Sequence, residues 1–152
     1  MSVGAHLEEQ RLDPQRELGE LLALASGDGA VVSFVGIARP ESSGGQPVDE
    51  LLLEHHPVLT LKSLQEIAVE AAERFDVSGI RVVHRCGRVW ASEAIVFAGA
   101  ASKHRRAAFE AADYLMDRLK TEAVFWKQET GVAGSGWIEP SDADYADRDR
   151  WG

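Results

Sequence analysis

The sequence predicts an α+β fold, because its strand-like segments outnumber its helical ones and do not alternate strictly with them. Apolar residues recur at helical spacing over 61–75 and from 103 to about 121, and a shorter helix is predicted from Asp13-Pro14. The strand-like segments cover 30–35, 48–56, 80–85, 94–101 and 123–128. We therefore expect one domain with about three helices and a mixed or antiparallel sheet.

Local signals support the principal elements. Proline is favoured at the first position of a helix, so Pro14 marks a start, and Leu18, Leu21 and Leu22 then form an apolar stripe. The segment 94–101, AIVFAGAA, is apolar at every position, which indicates a strand buried on both faces at the centre of a sheet.

Composition suggests a division of the chain into three parts. Residues 1–12 are predicted to be a polar, mobile leader, residues 13–140 the folded domain, and residues 141–152 an acidic, solvated tail on which Trp151 can still dock. Within the domain, PESSGGQP (40–47) reads as a flexible loop, and 131–136 as a Gly-rich loop before a short strand at 137–138.

Charge and composition exclude several functions. The 152-residue chain carries a net charge of −9, which argues against binding to nucleic acid or an anionic membrane. It has no apolar run of membrane-spanning length, and residues 1–28 lack the apolar region of a signal peptide. Cys86 is the only cysteine, so no intrachain disulfide can form, which fits a reducing cytoplasm.

Positive charge is concentrated in the run from Ser102 to Lys127. The run holds six of the 16 Lys and Arg residues and four acidic ones, a local charge of +2 in a chain whose remainder sums to −11. A cationic site in an acidic chain predicts a small anionic ligand. The alternative is a solvated helix with scattered charges.

The start of this helix violates a local rule. Ser102 is predicted to be the N-cap, and Lys103, His104, Arg105 and Arg106 then crowd the first turn. Cations there oppose the helix macrodipole at about 0.3–1 kcal/mol each. Free N–H groups and cationic side chains together would bind a phosphate or carboxylate well, so we interpret the violation as functional.

One face of the same helix carries a cation at each end. Arg105, Phe109, Met116 and Lys120 lie within about 60° of one another on a helical wheel, with Arg105 and Lys120 about 22 Å apart. One small ligand cannot contact both in a single chain. Either the two belong to separate sites, or two copies of the helix pack antiparallel across a two-fold axis and bring Arg105 of one protomer beside Lys120 of the other.

Two further cations, Lys127 and Arg39, occupy positions that indicate a role in binding or catalysis. Strand alternation places Lys127 on the same face as Phe125, where desolvation would lower the pKa of the ammonium and make it a usable base or nucleophile. The alternative is a lysine extending to solvent from an edge strand. Arg39 follows a buried strand and precedes the 40–47 loop, a common position for binding residues, although alone it would be an ordinary surface arginine.

Other motifs give no function. His55, His56 and His84 lack the spacing of a zinc site, so we predict no metal and expect these histidines to be satisfied by local hydrogen bonds. Ser102 and His104 are unsuited to act as nucleophile and base, because adjacency on one turn points them apart. The fragment GVAGSG precedes no helix and does not meet the dinucleotide-binding context.

Several blocks, in order, resemble the family of large catalytic subunits of molybdopterin synthase. They are GAVVSFVG followed by Arg39, LEHHP, VVHRCG, SKHRRAAFEA, MDRLK and VFWKQE, and they span roughly residues 29–140. The resemblance implies an α/β hammerhead element and an assembly in which a central homodimer carries one small ubiquitin-like subunit at each end, a heterotetramer.

The resemblance also implies a reaction. Such an enzyme takes sulfur from the thiocarboxylate on the C-terminal Gly-Gly of the small sulfur-carrier subunit and adds two sulfurs to cyclic pyranopterin monophosphate, giving the dithiolene of molybdopterin. It implies no metal and no organic cofactor held by this chain. The alternative is a non-catalytic dimeric module that binds the sulfur carrier or a phosphorylated pterin without turnover.

The family pattern implies roles for the cations described above and for several further residues. Lys120 and Lys127 match its two key lysines and are the predicted catalytic residues. The predicted substrate-binding residues are Arg39, His104, Arg105, Lys120, Lys127, Gln128 and Glu129. Phe34, Phe109 and Met116 are candidate pocket walls, with core packing as the alternative for each. The chain departs from common family residues at Ile37, Gln128 and Gly136 and in the PESSGG loop.

Overall fold

The described part of the protein folds into two four-stranded sheets and four helices, and the first sheet carries helices on both of its faces. The computed structural model describes residues 1–132 and 134–152. The described helices are α1 (Pro14–Leu24), α2 (Leu59–Arg74), α3 (Arg105–Glu122) and α4 (Asp142–Asp149). The strands are β1 (Ser2–Glu8), β2 (Ala30–Ile37), β3 (Glu50–His55), β4 (Gly79–Arg85), β5 (Gly87–Trp90), β6 (Ala94–Ser102), β7 (Phe125–Gly131) and β8 (Gly134–Ile138). The α+β prediction is confirmed. In the described part of the chain, no helix is long and apolar enough to cross a membrane.

The first sheet has the order β1-β4-β6-β2 and is mixed. β1 runs parallel to β4, whereas β6 is antiparallel to both of its neighbours. β6 therefore lies in the interior of the sheet, as its continuous apolar run predicted. Leu64 of α2 and Leu115 of α3 are fully buried in the core on one face, and Leu21 of α1 packs with Phe97 on the other.

The second sheet has the order β5-β3-β7-β8 and is antiparallel throughout. Its inner face buries Leu51, Leu53 and Val89, and Phe125 packs against this cluster and against the main core. Phe125 is the first residue of β7, so the strand that carries Lys127 is joined to the core at its start.

The predicted mobile leader over 1–12 is wrong for residues 2–8. These residues form β1, which pairs with β4 from Ser2 opposite Gly79 to Glu8 opposite Arg85. Ala5 and Leu7 pack against the main core. The partner strand lies more than 70 residues away in the sequence, so the local composition gave no signal of this pairing.

The acidic tail is also more ordered than predicted. α4 begins with a capping box, in which Ser141 Oγ accepts from Asp144 N and Ser141 N donates to Asp144 Oδ2, and it adds a fourth helix to the three expected. Trp151 docks against the core, as predicted, beside Phe75 and Tyr114.

The predicted N-cap of α3 is wrong. Ser102 is the last residue of β6 and is buried, with its Oγ donating to Asp76 O at 2.7 Å and accepting from His104 N at 3.2 Å. His104 is the N-cap and makes no side-chain capping bond. Ser102 thus supports the junction between β6 and α3, while Lys103 and His104 precede the helix and Arg105 opens its first turn.

Candidate functional site

Lys120 and Lys127 are brought together at the C-terminal end of α3. Lys120 lies exposed in the last turn of the helix, and Lys127 lies half-buried on β7, which follows after a short connection. Burial above all, and then the Lys120 ammonium, lower the pKa of Lys127 from 10.5 to about 8. The prediction of a desolvated lysine is confirmed, and at neutral pH this ammonium is more easily deprotonated than an ordinary lysine.

His84, a neutral histidine on β4 of the first sheet, lies close to the strand that carries Lys127. Phe125, two residues before Lys127 on the same face of β7, stacks on His84 with 4.2 Å between ring centroids. His84 Nδ1 lies 2.7 Å from Arg85 O, so this nitrogen carries the hydrogen and donates. Burial lowers the pKa of His84 to about 3, and the lysine charges act in the same direction. The expectation that His84 is satisfied by a local hydrogen bond is confirmed.

His56 also acts locally. Its Nδ1 accepts from Val58 N at 3.1 Å and from Leu59 N at 3.0 Å, which satisfies two free N–H groups at the start of α2. His56 N in turn donates to Thr60 Oγ1. This histidine stabilises a helix end, as expected of a residue outside a metal site.

The cations at the other end of α3 are available to a ligand. Lys103, His104, Arg105 and Arg106 are all exposed, and among the described residues none of their side chains makes an ion pair or hydrogen bond. By contrast, Arg118 on the same helix pairs with two carboxylates. An acidic chain that leaves this group of cations unpaired favours an external anion as their partner.

The structure does not bring Arg105 and His104 together with the lysines in one chain. Arg105 is the first residue of α3 and Lys120 lies in its last turn, about 22 Å away along the axis. Arg39 follows β2 and is exposed. Pro40, the next residue, accepts a hydrogen bond from Val48 N through its carbonyl oxygen. The loop that begins at Arg39 therefore ends beside β7, where Asp49 N donates to Thr130 O.

Gln128 and Glu129 lie on opposite faces of β7. Glu129 shares the inner face with Lys127, because alternate residues of a strand point to the same side. Gln128 pairs with Leu52 and Trp137 on the outer face. The structure thus places Glu129, but not Gln128, on the side of the sheet where Lys127 lies.

The candidate pocket walls divide into two kinds. Phe34 is 43% exposed on β2, and Phe109 is 57% exposed on α3, so both rings are available for contact with a ligand or another chain. Met116 is half-buried and packs against the main core, which favours the packing alternative for this residue.

Sequence reasoning missed Asp144. Although burial raises its pKa, hydrogen bonds with Ser141 and the charges of Lys120 and Lys127 hold the pKa of this carboxyl below its usual value. The pattern Ser-x-x-Asp at 141–144 is a capping-box signal that could have revealed the helix. Nothing in the local sequence indicated that the helix would approach the lysines.

The fold and this site define an α+β protein that presents unpaired cations and a lysine with a lowered pKa, an arrangement suited to binding a small anion and to proton transfer or charge stabilisation near neutral pH. The chain belongs to the MoaE protein family, whose model matches residues 7–122. Curated relatives of this chain are molybdopterin synthase catalytic subunits.

Relatives match nearly the whole chain. The molybdopterin synthase catalytic subunit of Pseudomonas aeruginosa is 43% identical and covers 98% of this chain and 99% of its own. The molybdopterin cofactor biosynthesis protein E of Burkholderia multivorans superimposes with a TM-score of 0.81 at 34% identity, covering 99% of this chain and 97% of its own. The molybdopterin synthase of Staphylococcus aureus gives a TM-score of 0.77 at 27% identity, covering 87% of this chain and 94% of its own.

Proposed function

We propose that the chain is the catalytic subunit of a molybdopterin synthase and transfers two sulfurs to cyclic pyranopterin monophosphate. The observation that carries the proposal is the pairing of Lys120 with Lys127, whose pKa is lowered to about 8. A protein that only binds an anion has no need of a partly desolvated lysine beside a second lysine. Membership of the family supplies the reaction.

The two lysines have different surroundings and therefore different proposed roles. Lys120 is exposed, so it can attract an incoming thiocarboxylate and stabilise the charge that develops as sulfur attacks. Lys127 is half-buried and loses its proton more readily, so it suits contact with the pterin or phosphate and proton transfer as the cyclic phosphate opens.

The exposed cations at the start of α3 serve the substrate phosphate in this proposal. Because Arg105 and Lys120 lie about 22 Å apart in one chain, the two act on one ligand only if they come from different protomers. We therefore propose a homodimer in which His104 and Arg105 of one chain complete the site around Lys120 and Lys127 of the other. The exposed Phe109 ring lies one turn from Arg105, so the same face offers apolar surface to a second copy.

The sulfur donor in the proposal is a small ubiquitin-like subunit with a C-terminal Gly-Gly thiocarboxylate, one on each side of the dimer. Its flexible tail carries a negative charge, which suits the lysine pair. The unpaired thiol of Cys86, which is buried, is compatible with a cytoplasmic enzyme. Arg39 and Glu129 are proposed to contribute to substrate binding at the edges of the site.

The proposal is tested by conversion of cyclic pyranopterin monophosphate with thiocarboxylated small subunit, followed by mass spectrometry of the pterin. We expect Lys120→Ala to abolish product, and Lys127→Ala to reduce the rate by roughly 100-fold or more, because each removes a charge that acts on the reacting groups. Lys62→Ala is the matched control, since Lys62 is an exposed lysine of α2 paired with Glu66.

The same assay separates the enzyme from the non-catalytic module. Binding of the small subunit or the pterin without any product from the wild-type protein would favour the module. Near-normal turnover by Lys120→Ala, with the dimer intact, would remove the lysine from the mechanism.

A further inference from the structure

The C-terminal end of α4 is anchored on the middle of α3. Asp117 of α3 is buried, and its Oδ2 accepts hydrogen bonds from Arg150 Nη2 and Trp151 Nε1, both at 2.7 Å. The Trp151 ring meets Phe75 and Tyr114 edge-on, at centroid distances of 5.7 and 5.5 Å. A buried carboxylate with two donors and an aromatic cluster fixes this end of the helix in place.

The N-terminal end of α4 starts beside Lys127. Ile138, the last residue of β8, is the register partner of Lys127, and Ser141 caps α4 three residues later. The capping box fixes the Asp144 side chain, because its Oδ2 accepts from Ser141 N at 2.9 Å. The carboxylate therefore has one defined orientation at the start of the helix.

The two ends together define the direction of α4. It starts near β7, ends on Asp117, and so runs back along the C-terminal half of α3. Asp144 lies six residues before Arg150, about 9 Å along the axis, and Lys120 lies one turn beyond Asp117. Asp144 therefore lies beyond the level of Asp117 toward the C-terminal end of α3, the end that carries Lys120 and leads into β7.

The electrostatics agree with this geometry. Lys120 and Lys127 both favour the ionised form of Asp144, and the Asp144 carboxylate opposes the lowering of the Lys127 pKa. The charged groups that act on the Lys127 pKa are Lys120 on α3 and Asp144 on α4. His84 on β4, His55 on β3 and Glu129 on β7 are titratable groups on the strands around it. In the part of the chain that the structure describes, Asp144 is the carboxylate whose charge counteracts the loss of the Lys127 proton.

We propose that Asp144 is a positioning residue of the two-lysine site: α4, anchored at Asp117, holds this carboxylate at the end of α3 where Lys120 and Lys127 lie, and its negative charge offsets part of the positive charge of the lysine pair. The importance of Asp144 for catalysis rests on the proposed function, whereas its effect on the charge of the lysine pair is independent of that function. The tail of the chain is then part of the site and not only a solvated extension.

The decisive variant is Asp144→Asn, which retains an oxygen to accept from Ser141 N but removes the charge. Asp142→Asn is the matched control, because it removes the same charge from the same first turn of α4. The chain has only four lysines, so their Cε signals can be followed separately by NMR in the full-length protein labelled with 13C-lysine. We expect the Lys127 midpoint to fall by about 0.5–1 pH unit in Asp144→Asn, and to remain near that of the wild type in Asp142→Asn.

A second variant tests the anchor. Trp151→Ala removes a donor to Asp117 and the aromatic contacts, so it should release α4 and move the Asp144 carboxylate away from Lys127, whose midpoint then reports this loss of charge together with any change in burial. The double variant with Asp144→Asn should show no further decrease, because a freed helix no longer presents the carboxylate. An additive second decrease would overturn the role of α4 as the element that places the charge.

The assembled enzyme provides the functional measurement. In Asp144→Asn, the limb of the pH–rate profile that reports Lys127 should move to lower pH by the amount seen in the NMR titration. An unchanged Lys127 titration in Asp144→Asn, or an equal decrease in Asp142→Asn, would overturn the proposal. If the Lys127 midpoint falls in Asp144→Asn but the wild-type protein forms no product, the charge arrangement stands and the proposed function is rejected.

Discussion

His84 makes the stability of the protein depend on pH. Burial lowers the pKa of this imidazole from 6.5 to about 3, so it stays neutral in the folded state while the unfolded chain takes up a proton below pH 6.5. The folded state therefore has its full stability above pH 6.5 and loses it progressively as the pH falls toward 3. A cation at this position would also lie near the Lys120 and Lys127 ammonium groups.

The magnitude follows from the difference in proton uptake. Between pH 7 and pH 5 the unfolded histidine becomes almost fully protonated and the folded one does not, which lowers the free energy of unfolding by about 2 kcal/mol. This is a large fraction of the stability of a small domain. Full burial leaves no solvent to screen the effect.

The assay is urea unfolding followed by tryptophan fluorescence at pH 7 and pH 5, at one protein concentration. The test variant is His84→Asn, whose side-chain amide can still donate to Arg85 O but does not titrate. We expect it to lose about 2 kcal/mol less than the wild type over this interval. The exposed His6→Asn variant is the control and should follow the wild type. Equal losses in His84→Asn and the wild type would show that the reasoning about this imidazole is wrong.

Two other predictions concern the backbone beside β7 and the dimer. A Cβ added at Gly131 would lie 2.1 Å from Pro47 O, so Gly131→Ala should lower the free energy of unfolding by about 2–3 kcal/mol. Gly136→Ala on β8 is the control and should be tolerated, because there is open space around its Cβ. Equal urea midpoints for the two variants would contradict this prediction. If the site combines Arg105 and Lys120 from different protomers, mixing inactive Arg105→Ala and Lys120→Ala proteins should restore about a quarter of the wild-type activity. No recovery after verified subunit exchange would exclude the shared site.

The helices and the strand core could be predicted because their signals are local. Pro14, the leucine stripe of α1 and the continuous apolar run of β6 each specify an element through the residues next to them. The cationic start of α3 was visible for the same reason. Its N-cap was misassigned, because the Ser102 hydroxyl bonds across to Asp76 O, a contact between distant segments.

The lowered pKa of Lys127 was only partly predictable. Strand alternation placed Lys127 on the face of Phe125, and the structure adds the causes that the pattern could not contain. Phe125 stacks on His84 from another sheet, and Lys120 approaches from the end of α3. The sequence predicted that the pKa of Lys127 is lowered, but only the packing of the folded chain identifies the neighbours that lower it.

By itself, the sequence determined the fold class, the principal helices and strands, and the concentration of cations that includes Lys120 and Lys127. Only the tertiary structure decided that residues 2–8 form a strand and that the end of α4 is anchored on α3 at Asp117. Both depend on pairing between segments far apart in the chain, namely β1 with β4 and Asp117 with Trp151. Periodicity and capping report on neighbours along the chain, whereas these contacts form only when the folded core brings distant surfaces together.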